Sequence, residues 1–96
     1  MHKHKKLDNA EIEQHLQQMS GWVLKEDFIE KLFLFKDFNE AISFMTTVAT
    51  SADKMDHHPD WSNSYNKVNV KLSTHSHGGV TNKDIELAKE MDAAAK

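Results

Sequence analysis

The chain has no cysteine, no arginine, one proline and three glycines among its 96 residues. Without cysteine there are no disulfides, no thiolate nucleophile and no cysteine-based zinc site, a composition that fits a reducing compartment. Without arginine, all twelve basic residues are lysines. The bidentate fork that reads guanine and phosphate is therefore missing, and a net charge of −3 adds no electrostatic pull toward nucleic acid. No segment approaches the ~20 apolar residues of a membrane span. MHKHKK at the start is followed by no apolar run, so it is expected to be a solvated tail over residues 1–6, with His2 and His4 in it, and not a secretory signal. The expectation is a cytoplasmic protein that binds neither membrane nor nucleic acid directly. No GxSxG elbow, GxGxxG fingerprint, P-loop or HExxH spacing occurs.

What is present fits one domain over residues 1–96. A chain this short buries a modest core, so self-association is expected. A first helix is read from Asp8 to Met19, with capping-box spacing between Asp8 and Glu11, Ile12, Leu16 and Met19 on one face, and Gly21 as a stop. Two apolar runs, Trp22–Lys25 and Phe28–Phe35, flank Glu26-Asp27 and read as a hairpin. A second helix runs from Asp37 to about Met55, with Phe38, Ala41, Ile42, Met45, Val48, Ala49 and Ala52 at helical spacing. Pro59 forbids its continuation and pushes His58 toward an extended backbone.

Alternation of Val68, Val70 and Leu72 with polar residues marks a strand over Lys67–Thr74. Trp61–Tyr65 pairs with it, and Gly78-Gly79 breaks the chain. Thr81 caps a last helix with Asp84 at its third position and Ile85, Ala88 and Met91 inward. The reading is α+β, in the order α-β-β-α-β-β-α: a four-stranded antiparallel sheet with the three helices packed on one face. The second strand is apolar on both sides. Phe28, Leu32 and Leu34 are either a partner surface or covered within the monomer.

Four of the seven histidines fall in two clusters, DHHPDW with His57 and His58, and STHSH with His75 and His77. Imidazole titrates nearest neutrality, so a histidine cleft suits acid–base work on a small molecule. A metal site is the competing use. In an extended backbone His75 and His77 would point the same way, while Asp53, Asp56 or Asp60 would have to complete the shell. The bland use is capping and hydrogen bonding. His15 reads as a surface residue and Trp22 as core. Trp61 is either core or the wall of a flat ligand's pocket.

The stretch DKMDHHPDWSNSYNKVNVKLSTHSHGGVTNKDIELAKEMD resembles the pterin-4a-carbinolamine dehydratase family. Its marks stand here as Asp53, then a three-residue gap before His57-His58-Pro59, then Trp61, Tyr65, Thr74-His75, Gly79 and Asp84-Ile85. FLFKDFNEAISFM resembles the family's second strand and second helix, and the likeness covers about Leu7 to Asp92. The resemblance implies the same fold, homodimers or homotetramers, and no metal or organic cofactor. It implies dehydration of 4a-hydroxytetrahydropterin to quinonoid dihydropterin, which recycles the pterin used by aromatic amino acid hydroxylases. It makes His57, His58 and His75 the catalytic histidines, with His75 and His57 as the acid–base pair and His58 either orienting the pterin or serving the other stereoisomer.

On the same likeness Asp56 is expected to hold a histidine tautomer. Pro59, Trp61, Thr74, Ser76 and His77 are expected to line the substrate pocket with Asp56. Asp53 stands where the family commonly has glutamate, and His77 falls where the family has no fixed residue. The alternative reading is a non-catalytic binding module of the same fold, since animal members act as dimerisation cofactors and transcriptional coactivators.

Overall fold

The computed structural model describes residues 6–96, so the expected tail, with His2 and His4, lies outside the described residues except for Lys6. Helix α1 spans Asn9–Gln17. Asp8 accepts from the Glu11 backbone at 2.8 Å while Glu11 reaches back to the Asp8 N–H at 3.0 Å, which closes the expected capping box. The helix ends two residues short of Met19. Gly21 then takes φ +88, a conformation that favours glycine.

Strands β1 (Val23–Lys25) and β2 (Phe28–Leu34) form the expected hairpin. Helix α2 spans Phe38–Met55, capped by Asp37. Strands β3 (Asp60–Ser64) and β4 (Lys67–Leu72) form a second hairpin, and α3 spans Asn82–Ala94. The sheet order is β1-β2-β4-β3 and every pairing is antiparallel. The α-β-β-α-β-β-α reading of the sequence therefore holds.

The core lies between the helices and one sheet face. Ile29, Phe33, Val68, Val70 and Leu72 meet Leu16, Phe44, Val48, Leu87 and Met91, all buried. Burial of such side chains contributes roughly 1.5–3 kcal/mol each. The α2 stripe is narrower than its apolar pattern. Ala41, Val48 and Ala52 are buried together with Phe44, which the spacing argument omitted, and the Phe44 ring sits 4.8 Å from that of Phe33. Phe38, Ile42 and Ala49 are instead exposed.

Trp22 is buried as expected, and its indole N–H donates to Asp92 at 3.1 Å. On the helix-free face of β2, Leu32 is 49% and Leu34 65% exposed. Nothing within the described chain covers them, which removes the covered-strand reading for these two, while Phe28 is half-buried with Lys71 over its ring. Among the described residues no helix is long and apolar enough to cross a membrane.

Candidate active site

Two chain reversals position the histidines. Helix α2 ends at Asp56, whose backbone is left-handed (φ 52, ψ 43). Aspartate tolerates that conformation because its short side chain can hydrogen-bond locally. The His57 N–H then donates to the Ala52 carbonyl at 3.0 Å, the closure expected after a left-handed helix stop. With Pro59 blocking further helix, the two adjacent histidines leave in opposite directions. His57 turns inward, 8% exposed, and His58 stays at the surface.

His57 Nε2 meets Asp84 Oδ1 at 2.5 Å. Asp84 is fully buried, and its other oxygen accepts from the Thr81 N–H at 2.9 Å and from Thr74 Oγ1 at 2.8 Å. Thr74 and Thr81 also share a 2.8 Å hydroxyl contact. This carboxylate sits in the first turn of α3, where the helix dipole favours negative charge. Donation from Nε2 to a carboxylate leaves Nδ1 as the acceptor of a neutral His57 ring. Asp84 was read from sequence only as a helix-capping residue and a family mark. Its grip on His57 needs the sheet, which brings the start of α3 against the end of α2. His58 Nε2 pairs with Asp53 Oδ1 at 3.0 Å on the exposed side, so the shorter aspartate still reaches an imidazole.

The second reversal follows β4. His75–His77 is a short 3-10 turn rather than extended chain, closed by Thr74 N–H to Gly79 O at 2.8 Å and by Gly78 with φ 71. Strand parity therefore does not apply to His75 and His77, and the same-side chelating pair expected from it does not form. Ser76 Oγ contacts His77 Nδ1 at 3.0 Å, and both residues are exposed. Among the described residues no group of three or more His, Asp or Glu side chains could share a metal ion.

Continuing the registers Ile29–Leu72 and Asp60–Lys71 outward aligns Phe28, Ser73 and His58 across one end of the sheet. Ile29 and Leu72 point into the core, so Phe28 and Ser73 lie on the opposite, helix-free face. A cleft of about 210 Å³ opens there, lined by Asp27, Phe28, His58, Asp60, Lys71, Ser73 and His75. Of the residues expected from sequence, His58 and His75 stand on this wall. His57 and Thr74 are buried next to it, joined through Asp84. Asp56, Ser76 and His77 are exposed outside the lining, and Pro59 is half-buried. Trp61 packs against the core and does not line the cleft. Asp27, Phe28, Lys71 and Ser73 were not expected, because cross-strand register alone gathers them.

A protein-family profile described as "Pterin 4 alpha carbinolamine dehydratase" matches residues 5–94. The chain is 55% identical over 93 residues to a putative pterin-4-alpha-carbinolamine dehydratase of Rhizobium meliloti (strain 1021), covering 95% of this chain and 89% of that protein. A relative of the same description from Sulfurisphaera tokodaii is 53% identical, with 92% and 95% covered. The crystal structure of a transcriptional coactivator/pterin dehydratase from Brucella melitensis superposes with a TM-score of 0.92 at 44% identity, over 96% of this chain and all of that one. A pterin dehydratase-like protein described as a RuBisCO assembly factor in the alpha-carboxysome shares the fold, with a TM-score of 0.66 at 21% identity. Fold, matched motifs and relatives agree: the chain belongs to the pterin 4 alpha carbinolamine dehydratase family and is an enzyme of the hydro-lyase type.

Proposed function

We propose that the protein converts 4a-hydroxytetrahydropterin to quinonoid dihydropterin and water, in cytoplasmic tetrahydropterin recycling beside an aromatic amino acid hydroxylase. The observation that carries this reading is the pair of imidazoles, His58 and His75, on the wall of one small cleft in a chain of this family. The C4a–O bond breaks as the departing hydroxyl takes a proton and leaves as water. The proton on N5 goes to a base, and the electron pair of the N5–H bond forms the N5–C4a double bond. Imidazoles suit both transfers, because each can hold or release a proton near neutral pH. Their position on the wall favours His58 and His75 for contact with substrate. His57, tied to Asp84, is then a positioning residue that fixes the turn presenting His58. This differs from the pairing of His75 with His57 expected from resemblance. No cofactor enters these steps.

The test is the rate of dehydration above the buffer rate for the purified chain and for His75→Ala. General acid–base groups contribute about 10²–10⁴-fold, so the variant should fall toward the buffer rate. Wild-type protein that is folded and no faster than buffer would overturn the proposal.

A second reading, a binding module, has its own support in the uncovered apolar residues. Leu32, Leu34 and Val23 lie on the sheet, and Phe38 and Ile42 on α2. Self-association into dimers or tetramers through such surfaces is part of the same proposal. His75→Ala separates the two roles, since it should remove dehydration and leave association intact.

A further inference from the structure

Strand β4 loses its neighbours before the chain reaches His75. Its ladders to β2 and β3 stop at Leu72 and Lys71, and the chain then turns through His75–His77 and comes back at Gly79 and Val80. One bridge closes the neck of this turn. The Thr74 N–H donates to the Gly79 carbonyl at 2.8 Å, and the Gly79 N–H returns a longer bond of 3.4 Å. The far side of the returning leg meets the segment that precedes α1. There the Leu7 N–H donates to the Val80 carbonyl at 2.8 Å. Leu7 and Val80 are buried in the same core, 4% and 1% exposed. The Lys6 stem lies across Gly79, so close that a Cβ added there would stand 2.8 Å from Lys6 Cε.

The start of α1 does not need this bond. Its capping box is closed between Asp8 and Glu11 alone. Leu7 and Ile12, both buried, hold the two positions of a hydrophobic staple, which fixes the angle at which the chain enters the helix. The bond to Val80 acts instead on the turn. A turn held only by one bridge would open easily and let its imidazole wander. Proton transfer requires hydrogen-bond reach, and a displacement of about 1 Å can cost about 10²-fold in rate.

Resting on the dehydratase reading, we propose that Leu7, with the stem of Lys6, is a positioning residue for His75. The segment before α1 straps the returning leg of the turn and thereby fixes where that imidazole stands on the cleft wall. Leu7 does not line the cleft, so its effect reaches substrate only through the turn.

The experiment measures dehydration by wild type, Leu7→Ala, Leu7→Met and Leu16→Ala, at a temperature where circular dichroism shows each folded. Leu16 is the buried leucine at the other end of α1, which packs on β1, so its truncation opens a core cavity away from the turn. Leu7→Ala should lower kcat and kcat/KM together by about 10–100-fold with KM unchanged, the mark of lost transition-state geometry rather than lost binding. Leu7→Met keeps the volume and should restore most of the rate. Leu16→Ala should keep the wild-type kcat. Equal kcat in Leu7→Ala and Leu16→Ala overturns the inference and leaves the dehydratase reading intact. Amide hydrogen exchange on wild type supplies a second arm that needs neither a folded variant nor turnover. The Leu7 and Thr74 amides should open with the same free energy, because strap and turn open as one unit. A Leu7 amide that exchanges freely while the Thr74 amide stays protected overturns the inference. Wild type that accelerates no dehydration overturns the dehydratase reading and this role for Leu7 with it.

Discussion

Asp84 shows most plainly how one side chain joins fold and chemistry. It caps α3 through the Thr81 N–H, holds Thr74 at the end of β4, and fixes His57 at the exit of α2. All of this happens at zero exposure, where a group left without its partner is costly. Asp84→Ala is expected to lower stability by roughly 3–5 kcal/mol, measured by urea unfolding, because it strands a buried imidazole, the Thr74 hydroxyl and the Thr81 N–H. Asp53→Asn tests the contrast. Its pair with His58 is solvent-exposed on both sides, so stability should not change measurably. Asp84 was legible in the sequence as a cap, because capping is local. Its bond to His57, 27 residues away, was not.

The elements were legible where their signals are local, and illegible where register or a neighbour decides. Both capping boxes, the hairpin at Glu26-Asp27 and the helix stop before Pro59 follow from short-range chemistry. The turn at His75–His77 broke the parity argument, because a strand pattern cannot reveal where a strand ends. The α2 pattern was too broad, because an apolar residue such as Ile42 records hydrophobicity and not which neighbour covers it.

The helix-free face of the sheet supplies a prediction at this scale. Glu30 accepts from Asn69 at 2.9 Å and pairs with Lys25 at 2.8 Å, and Lys71 adds its field. The Asn69 bond leads these effects, and together they hold the Glu30 carboxyl below its ordinary value. A lowered folded-state pKa gives stability that is present above the unfolded value, about 4.3, and lost as pH falls through the lower folded value. Glu30→Gln should therefore cost less than about 1 kcal/mol at pH 7 for a network at the sheet surface, and that cost should shrink as pH falls through the lowered folded-state value. Urea melts at pH 7, 5 and 3 read the difference. A variant whose deficit grows toward low pH would contradict this account.

For the whole molecule, all three helices cover one sheet face and leave the other to solvent. Leu32 and Leu34 then stand on an open surface beside Val23 of the short edge strand β1. Uncovered apolar residues grouped next to a sheet edge are expected to meet a second surface. The double variant Leu32→Lys and Leu34→Lys should move the sedimentation coefficient toward that of a monomer, with the far-ultraviolet circular dichroism unchanged. Wild type that already sediments as a monomer at micromolar concentration would remove self-association from the proposal.

If the proposed site is the working one, the threefold grip of Asp84 ties function to the docking of one helix. The same carboxylate that starts α3 holds the His57 turn, so α3 cannot detach while the turn keeps its shape. Under heating or denaturant, catalysis should fail in step with the loosening of α3, ahead of any loss confined to β1 or α1. Turnover is then a reporter of that docking event, and a mutation that tightens the α3 cap should extend the temperature range of activity without touching the cleft.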